Sequence, residues 1–361
     1  MIDLTFNVGP SKISPETKAD IYRAVEDNIL ELSHRGPEFA EISRHAVEGL
    51  RKLFNVPKDW HILYTTSATE AMELAIRSTV KKTSFHFTCG NFSEYFERIA
   101  KDNFKTPLTQ KAIWGEPNDF DYNIPDEAEL ITITHNETST GCMSSMEDIV
   151  KVRKKYPDKF LAIDGTSIMG SVKVDVTQAD IWLYSVQKCF GLPSGMGIFI
   201  CHPRVVERAI DLNTRGINPS GAFGLEKMVT KIKKNYNTIA TPNILDIYLS
   251  AQQTQRFLDA GGIEYLDNFT HTKAKKLYDF IDASEKIEPF MKDKNARSVS
   301  VICGKSDPET IAQIHTACEK NGIKMGGGYG KMKTETFRIA NFPSITMEDI
   351  EKLINVLKTI V

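Results

Sequence analysis

Short apolar runs alternate along this chain with stretches in which apolar residues return every three or four positions. That alternation predicts a layered α/β fold. Runs at 62–64, 84–88, 130–134, 160–163, 181–184 and 198–201 read as strands, and helical spacing at 68–80, 95–100 and 146–155 lies between them. Two helices come first. Ser14-Pro15 opens one, with proline tolerated in the first turn, and the other follows Pro37 with Phe39, Ile42, Val47, Leu50 and Phe54 on one face. The βα order predicts a mostly parallel sheet covered on both sides. After about residue 240 the pattern changes. Thr241-Pro242 leads into a long helix over 244–258, Gly261-Gly262 follows, and a second helix runs to about 283. The remainder reads as a strand at 298–302, a helix at 308–320, a strand at 336–340 and a helix at 347–359, a small α/β domain hung on the long connecting helix.

Composition narrows the function classes. The chain has 361 residues, 41% hydrophobic and 25% charged, with a net charge of −2. These are values of an ordinary globular protein, and they give no footing for nucleic acid or an acidic membrane surface. No apolar run approaches the ~20 residues of a membrane helix. Met1-Ile2-Asp3-Leu4 does not start a secretory signal. The six cysteines are scattered without a CxxC pair, which fits reduced thiols and a cytoplasmic protein. The eight histidines show no metal-ligand spacing. Gly326 to Lys331 imitates a P-loop, but one residue is missing and Met332 stands where a hydroxyl would hold magnesium.

The candidate chemistry centres on Lys188. It follows the apolar strand 181–184 and precedes the tight turn Gly191-Leu192-Pro193-Ser194-Gly195. A lysine kept dry there loses its proton more readily and becomes an amine nucleophile able to form a Schiff base. Asp164 ends another apolar strand upstream. An acid for a pyridine nitrogen and an amine for an aldehyde are what pyridoxal phosphate (PLP) needs. Ser67, Ala68 and Thr69 lie at a strand-to-helix junction, where free N–H groups suit a phosphate and where a simple helix cap is equally at home. Phe92 and Thr138 follow two further strand ends, one able to stack on a ring and the other to donate to it. His34-Arg35 sits between the first two helices as a possible anion site. Arg338 is set in an apolar strand, so a carboxylate partner from the protein or from a substrate is expected.

In this order the residues resemble the class V, fold-type I PLP-dependent aminotransferases, and within them the phosphoserine branch. The resemblance is carried by Phe6-Asn7-Val8-Gly9-Pro10, Ser33-His34-Arg35-Gly36, Asn136-Glu137-Thr138, Asp164, Gln187-Lys188 and Arg338. It implies a large domain over 14–245 with a mostly parallel seven-stranded sheet between helices. It also implies a small domain built from 1–13 and 260–361, the two being joined by helix 244–258. Lys188 would hold PLP as a Schiff base, with Asp164 on the ring nitrogen, Phe92 against the ring and Thr138 on its hydroxyl. Ala68, Thr69 and Gln187, together with Ser67, would surround the phosphate, with Thr241 reaching across to the partner's. Gly9 and Arg338 would meet the substrate, Arg338 taking its α-carboxylate. His34 and Arg35, supplied by the neighbouring subunit of a homodimer, would take the substrate's phosphate. The implied reaction interconverts 3-phosphohydroxypyruvate plus glutamate and O-phosphoserine plus 2-oxoglutarate, a step of serine biosynthesis.

Other features point elsewhere within the family. Thr66 to Ala71 and His135 to Gly141 are more similar to alanine–glyoxylate and serine–pyruvate aminotransferases, which keeps a glyoxylate- or pyruvate-using enzyme as the alternative. Ile323 and Lys324 stand where bacterial phosphoserine enzymes tend to have an extra histidine, leaving Lys324 or Lys331 to compensate. A cysteine desulfurase would stack a histidine on the ring and carry a cysteine between 326 and 336, and this chain has neither. A scaffold that kept only the fold would not need Lys188 and Asp164.

Overall fold

The computed structural model describes residues 2–361. Seven strands form the larger sheet, in the spatial order His61–Thr65, Gly197–Cys201, Ile181–Ser185, Phe160–Asp164, Leu130–Thr134, Thr83–Thr88 and Thr106–Lys111. Gly197–Cys201 runs antiparallel to both neighbours, and every other pairing is parallel. The central strands are buried on both faces, which is why they read as unbroken apolar runs instead of alternating. Thr106–Lys111 is polar, half exposed and holds Pro107, so it carried no apolar signal; these are the features of a blunted sheet edge.

Helices cover the sheet. Ala68–Thr79 begins at Ser67, whose hydroxyl accepts from the Glu70 N–H, and Pro15–Glu26 begins at Ser14 in the same way. Pro37–Leu53 packs along Ile244–Asp259. Gly49 allows that approach, since a Cβ there would lie 3.1 Å from Thr254 Cγ2. The helix expected at 95–100 starts earlier, at Asn91, because a buried carboxylate caps it (below).

A second sheet of five strands has the order Leu4–Phe6, Ile323–Gly327, Thr336–Ala340, Val301–Lys305 and Glu288–Pro289. The strand expected at 298–302 is displaced to Val301–Lys305, since Ser298 and Ser300 instead form a hydroxyl-bonded turn. Leu4 and Phe6 share a separate apolar core with residues from Ala274 to Leu357, so the beginning and end of the chain meet in this sheet. Among the described residues no helix is long and apolar enough to cross a membrane.

Candidate active site

Lys188 lies just beyond strand Ile181–Ser185 and is 8% exposed. Its Nζ donates to the Val8 carbonyl at 2.6 Å. Burial, and after it the charge of Arg338, lowers its pKa to about 8 against smaller opposing effects of Cys189, Asp164 and Glu137. The segment around Val8 is tied to the lysine's own backbone. Ser11 N donates to Gln187 O at 2.9 Å, and the Ser11 hydroxyl donates to Lys188 O at 2.8 Å.

Asp164 ends the adjacent parallel strand and is 2% exposed. Its Oδ1 accepts from the Thr166 N–H at 2.9 Å and the Thr166 hydroxyl at 2.5 Å. No protein donor is bonded to Oδ2 among the described residues. Burial pushes the carboxyl up to about 6, and Thr166 and the Lys188 charge offset part of that rise. A buried acid with one oxygen unengaged suits a protonated ring nitrogen, which would restore its ionised form.

Phe92 stands in the first turn of Asn91–Asp102, its ring 5.7 Å from Lys188 Nζ. Glu137, fully buried, holds that turn in place. Its Oε2 accepts from Phe92 N, Ser93 N and the Ser93 hydroxyl, and its Oε1 from Ser139 N and the Ser139 hydroxyl. A carboxylate at a helix start satisfies N–H groups that have no intrahelical acceptor. Gly90 is required for the approach, because a Cβ there would lie 2.4 Å from Glu137 Cγ.

Arg338, 7% exposed, sits in the five-stranded sheet and reaches across to the larger one. Its Nε donates to Gly327 O at 2.8 Å and its Nη1 to Thr138 O at 3.1 Å. Its guanidinium lies 5.2 Å from the Tyr329 ring, and that ring lies 5.5 Å from Phe92. No protein carboxylate pairs with Arg338 among the described residues, so of the two partners expected from the sequence a substrate remains. The Thr138 hydroxyl donates to Ser167 Oγ at 2.9 Å and keeps its acceptor side.

The Ser67–Thr69 cradle faces this cluster from the neighbouring strand ends. Ala68 N donates to the Ser185 hydroxyl at 2.7 Å, and a Cβ on Gly197 would strike the Ser67 backbone at 2.5 Å. Glu70 N is taken by the Ser67 hydroxyl, which leaves the Thr69 amide of this first turn without an acceptor among the described residues and open to a phosphate. His34, Arg35 and Thr241 lie elsewhere in the same chain. Thr241 Oγ1 and His34 Nδ1 are 3.2 Å apart, His34 Nε2 is buried without a partner among the described residues, and Arg35 is exposed. Burial, then Arg35, lowers the His34 pKa. Thr241 shares a cleft with Thr66, Glu70 and Gly195, which places it beside the outer side of the cradle. Of the two lysines, Lys331 stacks on Trp114 at 4.5 Å and Lys324 is exposed on its strand.

Several contributors lay outside the residue assignments made from sequence. They are the Val8 carbonyl, Glu137, Thr166, Ser167, Ser185 and Tyr329. Glu137 carried a signal, a lone acid between strand-end hydroxyl and amide residues. A backbone carbonyl carries none.

The family model described as "Aminotransferase class-V" matches residues 13–353. A crystal structure of a phosphoserine aminotransferase from Cytophaga hutchinsonii superposes with a TM-score of 0.95 at 31% identity, covering 99% of this chain and 98% of that one. A phosphoserine aminotransferase of Rhodococcus opacus is 28% identical over 360 residues, 97% of this chain and 93% of the relative. An aspartate aminotransferase of subgroup IV from Thermus thermophilus, 20% identical with a TM-score of 0.85 and covering 99% of this chain and 100% of that one, shares the fold. The chain belongs to the class-V aminotransferase family.

Proposed function

We propose that this chain is a PLP-dependent transaminase that interconverts 3-phosphohydroxypyruvate plus glutamate and O-phosphoserine plus 2-oxoglutarate, working as a homodimer with composite sites. The observation that carries the transaminase reading is Arg338, a buried guanidinium without a carboxylate partner among the described residues, facing the same space as Lys188, Asp164 and Phe92. The names of the relatives above support the phosphorylated substrate.

PLP, when bound, supplies an aldehyde for the amino group and a ring that draws electrons from the substrate's Cα–H bond. Lys188, with its lowered pKa, would be the amine that holds it and the base that carries the proton away from Cα. Asp164 would keep the ring nitrogen protonated, and its burial would make that ion pair strong. Phe92 would wall one face of the ring, Thr138 would meet its hydroxyl, and Ser67, Ala68, Thr69 and Gln187 would hold its phosphate. Arg338 would fix the α-carboxylate through a planar fork, and Gly9, over which Lys188 passes, would leave room for the substrate beside the amine. His34, Arg35 and Thr241 would serve the partner's site: Thr241 and His34 are paired, Thr241 lies on the outer side of the cradle, and a second subunit could meet them there.

The test is a panel of amino donors comparing O-phosphoserine, serine and alanine, with 3-phosphohydroxypyruvate, glyoxylate and pyruvate as acceptors. O-phosphoserine is expected to lead by at least about tenfold in kcat/KM. Arg35→Ala is expected to raise KM for O-phosphoserine far more than for alanine. A lead for alanine or serine with glyoxylate, or an equal effect of Arg35→Ala on both donors, rejects the phosphate assignment.

A further inference from the structure

Lys273 is the one charged residue among the largest fully buried side chains. It projects from helix Gly262–Asp282, and its ammonium is satisfied on every side. It donates to Phe342 O at 2.9 Å and Ile345 O at 2.7 Å, and it lies 4.3 Å from the Phe269 ring. Asp349, Lys12 and Cys189 are the ionisable groups close enough to act on it. A buried lysine is costly to desolvate, and core stability alone would be served as well by an apolar side chain. Its two carbonyl partners suggest what it does.

Residues 342–345 form the turn that leaves strand Thr336–Ala340, which carries Arg338. The same helix holds this exit a second time, since Asn341 Nδ2 donates to Thr270 O at 3.0 Å. The turn also touches the lysine loop twice. Phe342 shares a small buried apolar cluster with Val8, Cys189, Val301 and Ala340, Val8 supplying the carbonyl that receives Lys188 and Cys189 following Lys188 in the chain. Ser344 faces Gly191, where an added Cβ would lie 3.4 Å from Ser344 Cβ and 3.1 Å from Lys12 O.

We propose that Lys273 is a positioning residue for the reaction: by clamping the carbonyls of Phe342 and Ile345 it presses the exit of the Arg338 strand against the Lys188 loop, fixing the amine and the guanidinium relative to each other and keeping water from the amine. This rests on the transaminase reading for the roles of Lys188 and Arg338. It adds a residue that touches neither substrate nor cofactor and acts through Phe342.

The experiment is Lys273→Met, which preserves an unbranched chain of similar volume and removes both hydrogen bonds. Competitive acetylation of the protein across pH, followed by peptide mass spectrometry, reads the titration midpoint of Lys188 without cofactor or substrate. The midpoint is expected to rise by half a unit or more as water reaches the amine. In the holoenzyme kcat should fall about tenfold while KM for the amino donor rises. Phe342→Leu, which leaves Lys273 and both carbonyls in place, should shift the Lys188 midpoint in the same direction, and the double variant should shift it no further. A changed melting temperature with an unmoved Lys188 midpoint and unchanged kcat and KM assigns Lys273 a structural role and overturns the proposal. So does an unmoved midpoint in Phe342→Leu, a result available even where Lys273→Met fails to fold. If the wild-type protein neither binds PLP nor transaminates, the functional reading fails on its own, while the acetylation midpoints still decide whether Lys273 positions Lys188.

Discussion

Lys188 and Gly9 are in contact: a Cβ built on Gly9 would lie 2.3 Å from Lys188 Nζ. The φ of Gly9, +147°, is also one that side chains rarely adopt. The lysine therefore passes over a glycine to reach the Val8 carbonyl. Gly9→Ala should displace the amine and lower kcat at least about tenfold, with a loss of stability of only about 1–2 kcal/mol. Absorption of the PLP complex and a thermal melt on the same sample separate the two effects; a variant that melts lower but turns over normally contradicts the contact.

Lys188 has a pKa near 8 in the ligand-free protein. The amine, not the ammonium, attacks an aldehyde. The rate of PLP capture should accordingly rise about tenfold per pH unit below 8 and level off above it. Because the folded value lies below that of an unfolded lysine, around 10.5, this group's contribution to stability is full above about 10.5 and is lost as the pH falls through 8. Lys188→Ala should abolish turnover and flatten both profiles. Stopped-flow absorbance after mixing with PLP checks the first, and denaturant melts between neutral and alkaline pH check the second.

Asp164 shifts the other way. Its folded pKa, about 6, lies above the ordinary carboxyl value of 3.8. Its contribution to stability in the ligand-free protein is present below the unfolded value and is lost as pH rises through 6. Asp164→Asn should therefore stabilise the ligand-free protein at neutral pH by up to about 3 kcal/mol, while activity falls at least about a hundredfold. Paired melts of wild type and variant at acid and neutral pH test this. Equal stability differences at both pH values would show that the carboxyl is not desolvated as the structure has it.

Glu137 accepts hydrogen bonds at both carboxylate oxygens. An amide in its place turns one acceptor into a donor facing N–H groups. Glu137→Gln should cost about 2–4 kcal/mol and loosen the turn that carries Phe92, so PLP affinity should fall along with the melting temperature. A melt and a PLP titration decide it, and an undiminished affinity would detach Glu137 from the ring.

The layered architecture and the pair Lys188 and Asp164 were legible from residue order and type. Both sit at ends of apolar runs such as 160–163 and 181–184, whose burial on two faces leaves a period-free signal, and their chemistry is local to the residue type. Helix bounds were legible where a cap is written in the chain, as at Ser14 and Ser67. They were not legible at Asn91, because the capping carboxylate of Glu137 comes from another strand end.

Tertiary structure alone decided what faces what. It set the Val8 carbonyl against Lys188, turned Arg338 onto the Thr138 carbonyl, paired His34 with Thr241, and buried Lys273 under the turn at 342–345. Those relationships join residues far apart in the chain through backbone atoms and close approaches. Such contacts leave no mark on residue type or spacing, and so no reading of the chain could contain them.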